Sequence, residues 1–187
     1  MHLLNKNEVK FVRLTAIDED ILLEYLSDLS PETKHRFGPH GFDRDSVRAV
    51  LGNEKLYMAC AAKDTATGRL LAYAIIKHGF LEHDRPRLET YGLVLNAGQD
   101  CTFAPSVADQ WQGRGMGRQM LIFVMNELSN AGYSRIILWG GVQAGNERAV
   151  RFYFRNGFKK VGEFEYYGMN YDMIFEITDG INKKELP

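Results

Sequence analysis

The sequence predicts an α+β domain in which a mixed, mostly antiparallel sheet of about six to seven strands is flanked by helices, an α/β arrangement of three layers. Three observations predict this class. Apolar runs of strand length alternate with segments of helical spacing, a glycine-rich turn leads from one strand directly into a helix, and residues 158–177 indicate a closing hairpin. The strand–helix–strand step needs one parallel pair, and the hairpins make the other pairs antiparallel.

Composition and charge are those of an ordinary globular protein. The 187 residues are 45% hydrophobic and 25% charged, with a formal net charge of −1. This length predicts one domain over residues 1–187 rather than two. A charge so close to zero argues against a broad nucleic-acid surface, so no nucleic-acid partner is expected.

The sequence predicts neither a membrane segment nor a disulfide. The longest purely apolar run, Leu56 to Ala62, is far shorter than the ~20 residues that cross a bilayer. The amino terminus lacks an apolar core and a small-residue cleavage site, which predicts no secretory signal. Cys60 and Cys101 lie far apart in sequence and are interpreted as small buried hydrophobes in a reducing compartment. We therefore expect a cytoplasmic protein with no membrane partner.

The first half of the chain predicts a strand, a helical region and a hairpin. Ser30 is a good N-cap and Pro31 suits the first helical position, so a helix is expected to start there. Residues 64–68, between the apolar runs Leu56–Lys63 and Arg69–Lys77, have the residue types of a turn. The predicted elements are the strand Phe11–Leu14, the helix Asp18–Leu29 capped by Asp18, the helix from Ser30, a short helix near Asp43–Leu51, and the hairpin strands Leu56–Lys63 and Arg69–Lys77.

The second half predicts alternating strands and helices that end in a hairpin. Between the halves, Phe80 to Asp100 is interpreted as an extended excursion of a hairpin. One face of the long helix carries Met120, Leu121, Val124, Met125 and Leu128, and Gly132 is expected to stop it. The predicted elements are the strand from Cys101 to about Ala108, the helix to Ala131, the strand Arg135–Trp139, the helix Asn146–Arg155, and the hairpin strands Phe158–Tyr166 and Met169–Ile177.

The turn 112–117, Gln-Gly-Arg-Gly-Met-Gly, lies between a predicted strand and a predicted helix. Its three glycines leave out side chains where the backbone must turn tightly and approach a ligand, and a helix start offers unpaired N–H groups at a positive dipole end. That combination is typical of a phosphate cradle. Arg114 and Arg118 either add charge for a polyphosphate or are solvated surface residues. The glycine spacing excludes a nucleoside triphosphate loop and a dinucleotide fingerprint.

Two motifs carry a resemblance to a known family. Gln112-x-x-Gly115-x-Gly117 matches the acetyl-CoA motif Q/R-x-x-G-x-G/A of the GCN5-related N-acetyltransferase (GNAT) superfamily, and residues 146–158 resemble its N-x-x-A-x-x-x-Y-x-x-x-G-F signature. The resemblance is specific from about Cys101 to Phe158 and looser from Phe11 to Lys77. It implies a GNAT-like N-acetyltransferase domain. Acetyl-CoA would be its cosubstrate and a primary amine, in a small molecule or a protein, its acceptor by direct attack.

The resemblance also implies roles for individual residues. Main-chain groups of the loop would hold the pyrophosphate, and those at the end of the preceding strand would pair with the pantetheine arm like an added strand. Asn146 touches that arm in the family and is in any case a good helix N-cap. Tyr153 would be the general acid for the departing thiolate, although without the motif it reads as a core aromatic residue. The cofactor-binding residues so implied are Val107, Ala108, Asp109, Gln112, Gly113, Arg114, Gly115, Met116, Gly117, Arg118 and Asn146.

The sequence departs from the family where many relatives carry a basic glutamate, about ten residues before the motif glutamine. Cys101 and Thr102 occupy those positions, and the nearest carboxylate is Asp100. No base is assigned: a water chain, His83 or Glu89 stay open. This departure motivates a second hypothesis, a non-catalytic acyl-CoA-binding sensor or regulatory module.

The remaining expectations concern metals, the acceptor and assembly. The histidines have no metal-ligand spacing, so no metal is expected. In the family, the helical cap and the last hairpin, here about Ser30–Gly52 and Glu163–Met173, form the acceptor pocket. The chain is expected to be a monomer or a homodimer.

Overall fold

The computed structural model describes residues 8–177. Residues 1–7, which belong to the amino terminus considered above for a secretory signal, and residues 178–187 lie outside the described part. The helices are α1 (Glu19–Asp28), α2 (Pro31–Arg36), α3 (Arg44–Leu51), α4 (Arg85–Thr90), α5 (Met116–Asn130) and α6 (Glu147–Arg155). The strands are β1 (Val9–Leu14), β2 (Tyr57–Asp64), β3 (Leu70–His78), β4 (Asp100–Val107), β5 (Arg135–Leu138), β6 (Val142–Gln143), β7 (Lys159–Glu165) and β8 (Met169–Glu176).

The sheet confirms the predicted fold class. Eight strands are hydrogen-bonded in the order β1-β2-β3-β4-β5-β8-β6, with β7 paired to β8. The predicted parallel junction lies between β4 and β5, whereas β1–β2, β5–β8, β6–β8 and β7–β8 are antiparallel. The strand missed by the sequence analysis is β6, because two residues are too few to show a periodicity.

The chain divides into two compact units. The first comprises the chain up to Ile76 together with Ala104–Val124, and the second comprises Lys77–Phe103 together with the chain from Met125. The prediction of one domain over residues 1–187 stays a prediction.

The first unit is built on a central strand with helices beside it. All residues of β3 from Leu70 to Ile76 are buried, as expected for a strand covered on both faces. Helix capping follows the sequence at α2, where the Ser30 hydroxyl accepts from the Thr33 amide at 3.2 Å. The predicted cap of α1 differs in detail, because the Asp18 carboxylate accepts from the Thr15 amide at 2.9 Å and makes no side-chain bond into α1.

The segment Phe80 to Asp100 of the second unit was predicted wrongly. Within Phe80 to Asp100 the chain forms helix α4 instead of an extended excursion. Pro86 lies in the first turn of α4, where its missing N–H costs nothing. Leu88 of α4 is buried in a cluster with Phe80, Ile137 and Ile174. Packing against residues far along the chain therefore fixes a helix too short to show its period.

Helix α5 follows the prediction closely. Its predicted apolar face is buried at all five positions, Met120, Leu121, Val124, Met125 and Leu128. Gly132 has φ 83° and stops the helix. The Tyr133 amide then donates to the Leu128 carbonyl at 3.0 Å and the Gly132 amide to the Ser129 carbonyl at 3.0 Å, the pattern of a Schellman cap.

Two further expectations meet the described residues. Both cysteines are buried and neither is part of a disulfide in the described residues, as predicted. Within residues 8–177, no helix combines the length and the apolar character needed to span a membrane.

Candidate functional site

The glycine turn lies between the end of β4 and the start of α5, in the first unit. Gly113 has φ 72° and Gly115 has φ 84°, conformations that residues with a side chain rarely adopt. A Cβ atom placed on either glycine would meet no protein atom within 4 Å. The backbone conformation, not packing, therefore requires these glycines, and the space beside them is open to a ligand.

The start of α5 presents main-chain donors next to that space. The helical hydrogen bonds begin with the Gln119 amide donating to the Gly115 carbonyl at 3.1 Å. The amides of Met116 and Gly117 precede that bond, at the end of the helix where N–H groups lack intrahelical acceptors. No acidic residue lies in the first turn of α5. The local field therefore favours an anion.

The two arginines of the turn are exposed. The Arg114 guanidinium lies 5.2 Å from the centre of the Trp111 ring, a cation–π distance. That contact holds the side chain at the surface near the turn. A role for Arg114 or Arg118 in holding a polyphosphate stays a prediction.

At its carboxyl end, β4 is paired with β3 along one edge only. The Ala108 amide donates to the Leu71 carbonyl of β3 at 2.9 Å, so by alternation the main-chain groups of Val107 point to the opposite edge. The parallel pairing of β4 with β5 ends at Phe103, before Val107 is reached. The Gln112 side-chain amide donates to the Val107 carbonyl at 3.0 Å and so links the motif glutamine to this edge.

Asp109 begins the single 3-10 turn that follows β4. The family resemblance implies only a main-chain role for Asp109. Its carboxylate accepts three hydrogen bonds from Ser30 and Thr33 at the start of α2. No local pattern could have revealed these bonds, because the partners lie more than 70 residues away in the sequence.

Asn146 and Tyr153 belong to the second unit, whereas residues 107–118 belong to the first. Asn146 is the N-cap of α6, and its side-chain oxygen accepts from the Ala149 amide at 3.2 Å, as predicted. The Tyr153 side chain is 8% exposed and packs edge-on against Phe152 and Phe158. Burial raises the pKa of Tyr153, so its phenol stays protonated at neutral pH.

The positions where relatives carry a glutamate hold no free base. Both Asp100 oxygens accept from the Arg135 guanidinium, at 2.9 and 2.8 Å, and one also accepts from the Asn96 amide at 2.7 Å. The Thr102 hydroxyl donates to the Gly79 carbonyl at 3.0 Å. Burial raises the pKa of the Cys101 thiol, which is therefore a poor base and a poor nucleophile at neutral pH. These three side chains are structural.

His83 and Glu89 flank or lie in α4, outside the turn. His83 is mostly exposed and lies 3.6 Å from the Asp84 carboxylate. Within residues 8–177, no group of three or more His, Cys, Asp or Glu side chains is placed to hold a metal ion.

Comparison with known proteins gives one family and one fold. Residues 21–158 match the profile of the Acetyltransferase (GNAT) family. No curated protein sequence matches the chain. The fold resembles that of the GNAT domain of S. lividans PAT, with TM-score 0.71, 19% identity, and 90% of each chain covered. It also resembles yncA, a putative acetyltransferase from Salmonella typhimurium with acetyl-CoA (TM-score 0.67, 15% identity, 94% of this chain and 97% of that chain). A spermidine N-acetyltransferase mutant from Vibrio cholerae has TM-score 0.67 and 15% identity, with 96% of this chain and 100% of that chain covered.

Proposed function

The chain belongs to the acetyltransferase (GNAT) family, and we propose that it transfers the acetyl group of acetyl-CoA to a primary amine of a small molecule or a protein. The observation that carries this proposal is the turn between β4 and α5. Its two glycines with positive φ adjoin open space at a helix start, which suits a diphosphate. The acceptor attacks the thioester directly, and the protein acts as a monomer or a homodimer.

The cofactor is held mainly by main-chain groups. Amides from Gly113 to Gly117 and of Arg118 bind the pyrophosphate, and the guanidinium groups of Arg114 and Arg118 add charge. The pantetheine arm lies along Val107, Ala108 and Asp109 at the end of β4, where the Val107 main-chain groups face the edge that β3 does not occupy. Asn146 contributes a contact to the same arm beside its capping role.

Transfer forms a bond between the amine nitrogen and the acetyl carbon and breaks the carbon–sulfur bond. The protonated amine loses one proton to solvent before it attacks and a second as the amide forms. Tyr153 gives its phenolic proton to the thiolate and regains one from water. Burial raises the pKa of Tyr153, which by itself makes it a weaker acid. Desolvation would raise the pKa of a thiol in the same direction as that of the phenol.

The reaction does not depend on a strong base. Asp100, Cys101 and Thr102 are committed to structural bonds or buried, which supports proton loss to water instead. Holding amine and thioester together supplies effective molarities that lower the barrier by roughly 7–11 kcal/mol. Buried thiols without a disulfide suit a reducing compartment, which supports a cytoplasmic location.

A second candidate is favoured because Cys101 and Thr102 stand where many relatives carry a glutamate. This candidate is a non-catalytic sensor or regulatory module that binds acyl-CoA. The two candidates share the cofactor site and differ in turnover. Calorimetry with coenzyme A tests the shared part. Release of free thiol from acetyl-CoA in the presence of a polyamine, an amino sugar or a peptide with a free amino terminus tests the enzyme.

Tight cofactor binding with thiol release above the rate without protein supports the transferase. Binding without release from any acceptor class supports the sensor. A cooperatively folded protein with no affinity for coenzyme A contradicts both.

A further inference from the structure

The Asp109 carboxylate lies at the start of α2, and Asp109 itself stands between β4 and the turn 112–117, which we call the cofactor loop. It accepts from the Ser30 amide at 2.9 Å, from the Ser30 hydroxyl at 2.7 Å and from the Thr33 hydroxyl at 2.7 Å. Ser30 is the N-cap of α2, and Thr33 lies in its first turn. One carboxylate therefore binds both ends of that turn. A negative charge at a helix start is also favoured by the helix dipole.

The network continues into the proposed cofactor site. The Thr33 hydroxyl, which gives its proton to Asp109, accepts from the Gln112 side-chain amide at 3.4 Å. The same amide nitrogen donates to the Val107 carbonyl at 3.0 Å. A chain of side-chain bonds thus runs from α2 through the motif glutamine to the last residue of β4.

Helix α1 is hydrogen-bonded to Ser106 of β4, one residue before Val107. The Tyr25 hydroxyl lies 3.0 Å from the Ser106 hydroxyl, which donates to the Tyr73 carbonyl at 3.4 Å. Helix α1 is therefore bonded to the end of β4, and α2 to Asp109 and Gln112, which follow it. A shift of the loop on binding a diphosphate would reach α2 through Asp109 and Gln112, while the buried bond at Tyr25 holds α1 in place.

We propose that Asp109 is a positioning residue whose side chain couples occupation of the cofactor loop to the order of α2, the helix at the start of the proposed acceptor side. This inference rests on the proposed function, because it presumes that the loop binds coenzyme A. Because of this coupling, a bound cofactor makes α2 more ordered before the acceptor binds.

Hydrogen exchange of the α2 amides, measured with and without saturating coenzyme A, tests the coupling. In the wild-type protein, coenzyme A slows exchange of residues 32–36 by about threefold or more. In Asp109→Ala, coenzyme A binds roughly three- to tenfold more weakly, the effect of losing charge-assisted bonds near the site, and no longer slows that exchange. A merely structural role would lower the melting temperature and leave the slowing intact.

Asp64→Ala is the matched control. Asp64 accepts from the Ala66 amide at 2.9 Å and the Thr67 hydroxyl at 2.7 Å in the turn between β2 and β3, so its loss removes similar bonds without touching the loop. This variant keeps the wild-type affinity and the wild-type slowing. Thr33→Val removes one donor to Asp109, and its effect on affinity is not additive with that of Asp109→Ala.

The outcomes distinguish a failure of the coupling from a failure of the proposed function. Wild-type protein without affinity for coenzyme A overturns the proposed function. Affinity in the wild type, with slowing of α2 exchange retained in Asp109→Ala, overturns the coupling alone. If Asp109→Ala fails to fold, Thr33→Val answers the same question, because α2 exchange that still slows in that variant also overturns the coupling.

Discussion

The loop 112–117 and the contacts of α4 hold their conformations by opposite means. In the loop, glycines supply positive φ and the neighbouring space is open. At α4, the Arg87 guanidinium donates to both oxygens of Asp172 at 2.8 and 3.1 Å, and Asp172 is only 1% exposed. Arg87 also lies 2.8 Å from Asp84 and 3.7 Å from the centre of the Phe164 ring.

The difference separates binding from stability. A loop built from bare backbone keeps its main-chain donors available to a ligand and contributes little to folding. A buried ion pair uses up its own polar groups and holds α4 to β8. Changes at the two places should therefore affect different measurements.

The largest effect is expected at the ion pair. Asp172→Ala leaves Arg87 with Asp84 as its remaining carboxylate partner, and removing one member of a buried pair typically lowers the free energy of unfolding by about 3 kcal/mol or more. Urea denaturation measures this loss. Glu163→Ala, which removes an exposed partner of Lys160, should cost about 1 kcal/mol or less. Equal losses of unfolding free energy in the two variants would contradict the stabilising role of the buried pair.

Tyr153→Phe asks whether a buried residue of the second unit acts in chemistry and not only in packing. Loss of a general acid lowers turnover by roughly 10²-fold, equivalent to about 2.7 kcal/mol in the barrier. Coenzyme A affinity should stay within a factor of about two, because the ring remains. Thiol-release kinetics and calorimetry check the two parts. Unchanged turnover would leave Tyr153 with a packing role alone.

Gly115→Ala tests the loop. An alanine forced to φ 84° destabilises the backbone by about 1–2 kcal/mol, and its methyl group intrudes on the open space, so coenzyme A affinity should fall roughly tenfold. Gly92→Ala is the control, since Gly92 has φ 79° with no protein atom near a Cβ and lies outside the loop. It should lose similar stability and keep its affinity. A loss of affinity in both variants would mean that strain, and not the site, is measured.

The smallest effect concerns pH at the edge of the loop. Partial desolvation raises the pKa of Asp109, but the hydrogen bonds from Ser30 and Thr33 outweigh it and hold the pKa below its usual value. A lowered pKa contributes stability above the ordinary range of an aspartic acid, and that stability is lost as the pH falls through the lowered value. Acid unfolding of Asp109→Asn should accordingly be less steep than that of the wild type. If the variant and the wild type had identical acid-unfolding curves, the hydrogen bonds from Ser30 and Thr33 would not favour the ionised form of Asp109.

Much of the fold was predictable because the signals are local. Helix α5 shows its period over four turns, and its stop at Gly132 needs only a residue that tolerates positive φ. Helix α4 is too short for a period, and its stability comes from Leu88 and Arg87, whose partners Ile174 and Asp172 lie far along the chain. Pro86 is consistent with either a strand break or a helix start, and only packing distinguishes them.

By itself the sequence determined the fold class, the family and the turn 112–117, because glycine spacing acts on the backbone of its own segment. The tertiary structure alone decided that Asp109 binds the start of α2 and that Asp100 is held by Arg135. Such bonds join residues that are distant in sequence, so they depend on how strands pair and where helices pack, which no local pattern specifies.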